Sequence, residues 1–310
     1  MEKLWNSFFS LGIVHPMMFP ETIRGEGRML ETLGRILEDP TWDLVAIRPP
    51  KDPHLKDPMK RMISQAHVQT GFLATMPMMQ QNILLCAVDE PNRRAAVERA
   101  KELVDEAYFF GSKTMLIASD RDPGPSQRKA AKSAFTRSVV ELCRYARDKA
   151  IDYVLKLVIE NFDRDVEKKF LIGPTAEMVE ITREVCQEVP NFGICLDISH
   201  LGLLGDTISK IWSIAEPYVV EVHLANYTVQ DPKDPLYGDN HPRFGYPGGE
   251  HDVSEIASCM KELFDVGYIG EDKREPKPAV LLEVKPTPDE LPEMVLAGSK
   301  RAFMQAWAAL

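Results

Sequence analysis

Four short apolar runs in the second half of the chain each end in a side chain that can bind a metal ion. They read VIEN, CLDISH, VEVHLAN and LLEVKP, and their ligand-type residues are Glu160, Asp197, His223 and Glu283. A charged carboxylate at the end of a buried run is costly unless it is paired or bound to a cation. Three carboxylates and one imidazole form an oxygen-rich set that suits Mn²⁺, the metal we expect, with Mg²⁺, Co²⁺ or Zn²⁺ as alternatives.

Further polar residues close to these runs are candidates for binding a substrate. His200 comes three residues after Asp197. The segment 226–252 is rich in Pro, Gly and Asp and too long for an ordinary connection, so we expect it to form a lid or a substrate wall. The candidates in or near this segment are Asn226, Asp239, His241 and Arg243, and His15 follows an apolar run near the start of the chain.

The elements that must position these residues are short apolar strands alternating with amphipathic helices. The strands are predicted at 8–14, 43–48, 71–76, 113–118, 153–160, 193–198, 219–224 and 279–284. Their continuous apolar character is typical of a parallel sheet that is buried on both faces. Eight such units predict an α/β protein with a single (β/α)8 barrel, whose active site lies at the carboxyl ends of the strands. No linker divides the chain, so we expect one domain over 1–310.

Helix boundaries are marked by proline, capping residues and glycine. The clearest helices are predicted at 91–110, 127–149, 252–266 and 288–309. The third of these starts at Asp252, a good N-cap, and ends before Gly267, a good residue to follow a helix. The last is expected to begin with Pro288 and Asp289.

Composition excludes several classes of protein. The 310 residues include 37 Lys plus Arg and 47 Asp plus Glu, which gives a net charge of −10. So acidic a surface repels phosphate backbones and argues against a nucleic-acid partner. No apolar stretch is long enough to span a membrane, and the N-terminus does not have the pattern of a signal peptide. Five scattered cysteines without CxxC spacing suit reduced thiols, so we expect a cytoplasmic protein.

These motifs resemble the xylose isomerase-like (β/α)8 superfamily, which includes sugar isomerases and epimerases and the endonuclease IV nucleases. The matching pieces are Glu160 in VIENF, Asp197 and His200 in DISH, His223 in VHLAN, Asp239 and His241 in DNH, and Glu283 in LLEVKP. The nuclease branch requires two further histidines that end the third and fourth strands. The corresponding stretches, ATMPMM and LIASDRD, contain none, so the resemblance does not extend to a nuclease site.

The resemblance instead implies a metal-dependent sugar isomerase or epimerase. In the ketose epimerases, two metal-binding glutamates exchange protons with the carbon next to a carbonyl, through an enediolate that the metal stabilises. Carried over, Glu160 and Glu283 become the acid and base, and Asp197 and His223 complete the metal site. His200 would hydrogen-bond a substrate oxygen, and Arg243, if it points inward, would bind a hydroxyl or phosphate. Relatives are often homo-oligomers, which we expect here.

Two alternatives remain open. The apolar stretches HPMMF and MPMMQQ carry Met17, Met18, Met78 and Met79, which would suit a substrate with an apolar part if they line the mouth. That favours a metal-dependent 3-keto-glycoside lyase, similar to the catalytic subunit of C-glycoside deglycosidases, which needs a small partner subunit. A sugar-binding barrel without catalysis is the other alternative, but costly buried carboxylates are not needed for binding alone.

Overall fold

Eight short apolar segments form parallel strands that pair in chain order and close into one barrel, with β8 beside β1. This computed structural model describes residues 3–270 and 276–310. The strands are β1 Ser10–Val14, β2 Leu44–Ile47, β3 Gln69–Leu73, β4 Thr114–Ile117, β5 Lys156–Glu160, β6 Phe192–Asp197, β7 Val219–Ala225 and β8 Ala279–Glu283. The predicted fold class, a (β/α)8 barrel, is confirmed.

Helices connect the strands and cover the outside of the barrel. They are α1 His15–Met18, α2 Met29–Leu37, α3 Lys56–Ala66, α4 Thr75–Gln81, α5 Glu90–Phe109, α6 Pro125–Lys149, α7 Thr175–Cys186, α8 Ile198–Leu204, α9 Ile208–Ala215, α10 Val253–Asp265 and α11 Pro292–Ala308. Short 3₁₀ turns lie at Trp5–Ser7, Pro20–Thr22, Pro53–Leu55 and Glu216–Tyr218. Along residues 3–270 and 276–310, none of the helices combines the length and the apolar character needed to cross a membrane.

The residues predicted to start and end α10 do so. Asp252 and Glu255 form a capping box, in which each side chain accepts from the backbone N–H of the other residue. This arrangement satisfies two of the N–H groups that a helix start leaves unpaired. At the other end Gly267 adopts a φ of 74°, which glycine reaches without steric strain.

Three predicted boundaries are wrong by three residues or more. The fifth strand starts at Lys156 and not at residue 153. The third strand ends at Leu73 and not at residue 76, because Thr75–Gln81 forms α4. Pro77 lies in the first turn of that helix, where its missing N–H is not needed. The last helix starts at Pro292 and not at residue 288. The preceding residues form a turn in which the backbone N–H of Thr287 donates to the Glu290 carboxylate and that of Glu290 to the Thr287 carbonyl.

An apolar layer fills the barrel beneath the carboxyl ends of the strands. It consists of Val14, Leu44, Ala46, Leu73, Leu116, Val158, Cys195 and Leu281, all buried. A larger core lies between the strands and the surrounding helices. The barrel is therefore packed, as is usual for this fold, and its inner layer excludes water from below any site at the mouth.

Candidate metal and substrate site

The ends of strands β5 to β8 bring the four ligand-type side chains together. Glu160, Asp197 and Glu283 are the last residues of their strands, and His223 pairs with Asp197 in the register of β6 and β7. One ligand atom from each of the four lies within 4.8 Å of the others, and all four residues are buried. These residues could therefore hold one metal ion.

Unpaired oxygen atoms support the fit of a cation to this group. Among the described residues, Glu160 Oε1 and Asp197 Oδ2 are buried and have no hydrogen-bond partner. A buried carboxylate oxygen without a partner carries a large desolvation cost. His223 Nδ1 lies 2.7 Å from Glu283 Oε2 and 3.8 Å from Glu160 Oε1, so its ring faces the same point. A divalent cation there would bind the unpaired oxygens and offset the repulsion between the carboxylates.

Neighbouring groups orient these ligands. Asp197 Oδ1 accepts from the backbone N–H and from the hydroxyl of Ser199, both at 2.6 Å, which leaves Oδ2 free. The side-chain oxygen of Asn161 accepts from the Asp197 backbone N–H at 3.0 Å and so links the ends of β5 and β6. These contacts restrict the Asp197 side chain before any ligand binds.

The far side of the His223 ring faces into the barrel. Its Nε2 lies 3.6 Å from Glu221 Oε1, and Glu221 is in turn held by the hydroxyl of Thr114 at 3.2 Å. The thiol of Cys195 lies close to the same ring. With its proton held on Nε2 by the Glu221 carboxylate, His223 would offer the lone pair of Nδ1 to a metal in place of the present contact with Glu283.

A second buried group lies directly beside the first. His200 places Nε2 3.5 Å from Glu160 Oε1 and Nδ1 3.5 Å from Asp239 Oδ1. His241 Nε2 lies 3.4 Å from Asp239 Oδ1 and 3.7 Å from Glu283 Oε1. The structure thus brings His200, Asp239 and His241, three of the predicted substrate-binding residues, against the two glutamates.

A lysine that sequence reasoning missed completes this group. Lys168 Nζ lies 3.1 Å from Asp239 Oδ2 and donates to the Asp239 carbonyl at 2.8 Å and to Glu167 at 3.1 Å. The other Glu167 oxygen accepts from the Asp239 backbone N–H at 2.6 Å. Glu167 and Lys168 therefore tie the loop after β5 to the long segment after β7.

Burial and charge shift the pKa values of these groups in different directions. Burial raises the pKa of Glu160. Burial acts the same way on Glu283, but the charge of His241 and contact with His223 outweigh it and lower the pKa of that carboxyl. Burial by itself would lower the pKa of His200, yet Asp239 and Glu160 raise it to about 10. The cluster therefore balances its carboxylates with cationic side chains.

The cavity over these residues has two unlike sides. Glu160, His200, Asp239, His241 and Glu283 form one side, and Lys168 and Lys285 also line it. The other side is mostly apolar and is formed by Met17, Ile23, Leu73, Met76, Met79 and Leu116, with Thr75 and Gln80 as its polar residues. The cavity volume is about 230 Å³. The segment 226–252 supplies Asp239 and His241 and therefore acts as a wall of the cavity, as expected.

Three predicted substrate-binding residues are not placed at this cavity. His15 Nε2 contacts the hydroxyl of Thr32 on α2 at 2.9 Å, and burial lowers the pKa of His15 to about 3. Arg243 donates from Nε to Glu290 at 2.8 Å and from Nη1 to backbone carbonyls of its own loop. Asn226 bonds the backbone at Arg243, Tyr227 and His251. The long segment folds back on itself and so uses Asn226 and Arg243 in contacts within the protein, whereas His15 is directed to α2.

Some of the supporting residues carried a signal in the sequence, and others did not. Glu221 precedes His223 by two residues on a strand and must face the same side. Ser199 and Asn161 directly follow or lie next to predicted ligands. Glu167 and Lys168 belong to the charged stretch DRDVEKK, which is typical of an exposed loop.

Comparison with known proteins agrees with the barrel fold and identifies a family. The sequence model of the family described as xylose isomerase-like TIM barrel matches residues 35–293. A search of curated proteins by sequence finds no match. Among solved structures, a D-tagatose 3-epimerase-like protein has a TM-score of 0.70 at 16% identity, covering 97% of each chain. The IolI protein with a bound zinc atom has a TM-score of 0.69 at 16% identity, covering 96% of this chain and 97% of that one. The 3-keto-D-glucoside 4-epimerase YcjR from E. coli has a TM-score of 0.63 at 13% identity, covering 97% and 99%.

Proposed function

This chain belongs to the xylose isomerase-like TIM barrel family, and we propose that it is a divalent-metal-dependent sugar isomerase or epimerase that moves a proton next to a carbonyl. The observation that carries the proposal is the buried group of Glu160, Asp197, His223 and Glu283, with ligand atoms within 4.8 Å of one another. The names of two structural neighbours, a D-tagatose 3-epimerase-like protein and a 3-keto-D-glucoside 4-epimerase, agree with it.

The same four residues would hold the metal. The partnerless oxygens of Glu160 and Asp197 and the Nδ1 of His223 point to a cation site, and Mn²⁺ suits three carboxylates and one imidazole. The chemistry that a bound cation supplies is Lewis-acid polarisation of a carbonyl oxygen. An unaided carboxylate is too weak a base for a proton next to a carbonyl, by roughly ten pKa units.

Glu160 and Glu283 would exchange the proton with the substrate carbon. Both line the cavity, and each also belongs to the metal group. One glutamate removes the proton, and the other delivers one to the same or the neighbouring carbon. His200, 3.5 Å from Glu160 Oε1, would donate a hydrogen bond to a substrate oxygen. Asp239 and His241 would complete the polar wall that holds the hydroxyl groups.

The site would take one cation and not two. Asp197, His200 and His241 also bring ligand atoms within 4.8 Å of one another, so a second ion is a geometric alternative. Asp197, however, is the carboxylate of that group and already belongs to the first one. The pKa of His200 is raised to about 10, so its ring is cationic where a second ion would need a neutral ligand. We therefore expect about one metal per chain by elemental analysis of Mn²⁺-loaded protein. Two metals per chain would contradict this assignment.

A lyase acting on 3-keto-glycosides is the second candidate. The apolar side of the cavity, formed in part by Met17, Met76 and Met79, favours a substrate with an apolar portion. Such a lyase would use the same proton abstraction, followed by loss of the aglycone. A small subunit that copurifies with the protein would favour the lyase, whereas an epimerase would act without one.

The cysteines support a proposal for the cellular location. All five cysteines are free, and three of them are buried. Reduced thiols suit the cytoplasm, where we propose that the protein acts.

Deuterium exchange tests the proposed function directly. Mn²⁺-loaded protein would be incubated in D₂O with ketoses, keto-acids and 3-keto-glycosides, and incorporation at carbon followed by NMR. We expect exchange with at least one keto-sugar. Glu160→Gln should keep the fold and reduce exchange by at least about a hundredfold. Glu102→Gln, a change at an exposed position on α5, serves as the matched control. Near-normal exchange in Glu160→Gln would overturn the assignment.

A further inference from the structure

A second cleft lies beside the catalytic cavity. It is formed by the end of α4 with the residues after it and by the segments that follow β4 and β5. Its volume is about 460 Å³, and its lining includes Met78, Asn82, Leu84, Asp120, Arg121 and Phe170. None of these six residues lines the catalytic cavity. The cleft is therefore a separate space whose role the proposed function does not explain.

The two spaces adjoin each other. Met79, Glu167 and Lys168 line both of them. The catalytic cavity, at about 230 Å³, is smaller than the roughly 300–1,000 Å³ typical of small-molecule sites. Together the two spaces fall within that range. A sugar in the catalytic cavity would leave little room there for a substituent, and the adjoining cleft is the space that it could enter.

The lining of the cleft contains both apolar and polar side chains, which suits a ring-shaped ligand group. Met79 is 45% exposed and Leu84 is 38% exposed, although both are large apolar side chains. Exposed apolar groups gathered in a concave space mark a binding surface, and methionine adapts to the shape of its partner. Asn82, Asp120 and Arg121 add hydrogen-bonding groups to the same lining. A ring with an apolar face and a polar edge would match both kinds of contact.

We propose that this cleft binds the ring-shaped aglycone of a keto-glycoside whose sugar occupies the catalytic cavity. The inference rests on the proposed function, because the sugar must react at Glu160 and Glu283. The apolar face of the aglycone packs on Met79 and Leu84, and its polar edge faces Asn82 and Arg121. An aryl group and a second sugar both have this chemistry, and the experiment distinguishes them.

Exchange in D₂O with a substrate series tests the cleft. The series consists of free 3-keto-glucose, its methyl glycoside, its phenyl glycoside and a 3-keto-disaccharide. We expect kcat/KM for exchange to be at least about tenfold higher with a ring-bearing substrate than with the methyl glycoside. A gain with phenyl alone identifies an aryl aglycone, and a gain with the disaccharide alone identifies a second sugar. A gain with both supports a cleft that accepts any ring.

Variants test whether the higher kcat/KM of ring-bearing substrates depends on the cleft. Leu84→Ser should lower kcat/KM for the preferred ring-bearing substrate about tenfold and leave the methyl glycoside within about twofold. Leu291→Ser is the matched control, since Leu291 is also exposed but lines neither space. Asn82→Gly is a second probe that keeps the backbone relaxed, because Asn82 has a φ of 53°.

The outcomes separate the two proposals. Equal kcat/KM for methyl and ring-bearing substrates, or an equal effect of Leu84→Ser on both, would overturn the cleft proposal and leave the proposed function standing. Absence of exchange with every keto-sugar and keto-glycoside would overturn the proposed function and the cleft proposal together.

Discussion

Replacing Lys168 by methionine removes the ammonium that neutralises Asp239 and keeps most of the side-chain stem. The Asp239 carboxylate is fully buried. Lys168 Nζ lies 3.1 Å from its Oδ2 and donates to the backbone carbonyl of Asp239 at 2.8 Å. Breaking a buried ion pair by removing one partner costs about 3–5 kcal/mol. The Lys168 side chain is 26% exposed, so water screens part of this pair. His200 and His241 also remain near Asp239, so we expect a loss of about 2–3 kcal/mol.

The assay is urea denaturation of metal-free protein at pH 7, with the slope compared between variants to confirm that the unfolded states are equivalent. For a chain of this size the expected loss corresponds to a fall in Tm of roughly 5 °C. Lys101→Met is the matched control. Lys101 is 25% exposed and lies 2.6 Å from Glu98, but Glu98 is 69% exposed. That surface pair should contribute less than about 1 kcal/mol.

A double-mutant cycle identifies the partner. Asp239→Asn combined with Lys168→Met should be less destabilising than the sum of the two changes, with a coupling of about 1–2 kcal/mol. A loss of stability in Lys168→Met no greater than in Lys101→Met would show that the buried pair does not stabilise the protein. A coupling energy of zero between the two changes would show that Asp239 is not the partner of Lys168.

Three further predictions follow from single features of the structure. Adding Mn²⁺ to metal-stripped protein at about a hundred times its Kd should raise the free energy of unfolding by about 2.7 kcal/mol and the Tm by roughly 5 °C. Asp197→Asn should abolish this shift. A metal-stripped wild type whose Tm does not change with Mn²⁺ would contradict the metal site. The pKa of His15 is lowered from 6.5 to about 3 by burial, so the unfolded chain binds a proton that the folded one does not, and stability falls as pH falls below 6.5. Between pH 7 and 5, protonation of His15 in the unfolded chain should lower the free energy of unfolding of the wild type by about 2 kcal/mol, and His15→Gln should not show this loss. Equal shifts of the urea midpoint in the two proteins would rule this contribution out. Asp252→Ala removes the capping box of α10 and should cost about 1 kcal/mol in thermal denaturation; a Tm equal to that of the wild type would show that the cap contributes nothing.

The barrel and its ligand group could be predicted because both depend on local patterns. Each strand is an apolar run long enough to be recognised, and parallel strands in a closed barrel end at the same rim. Glu160, Asp197, His223 and Glu283 lie at those ends, so their proximity follows from the fold. Two of the wrong element ends, at α4 and α11, are places where a turn or helix start competes with a strand or helix pattern of similar strength.

The directions of side chains in loops could not be predicted in the same way. Arg243 turns to Glu290, which is 47 residues away, and His15 turns to Thr32 on a neighbouring helix. Nothing in the residues next to either one indicates these partners. A loop side chain takes the contact that the packed neighbours offer, and sequence spacing does not contain that information.

The amino-acid sequence by itself determined the closed barrel, the rim that carries the chemistry and four residues that could hold a metal, because strand periodicity is a local property. Only the tertiary structure decided which charges are buried together. Lys168 lies in a stretch typical of an exposed loop, yet it is paired with Asp239, 71 residues later, because the segment after β7 folds over the loop after β5. Burial of a charge depends on what covers it, and here the cover comes from a distant part of the chain.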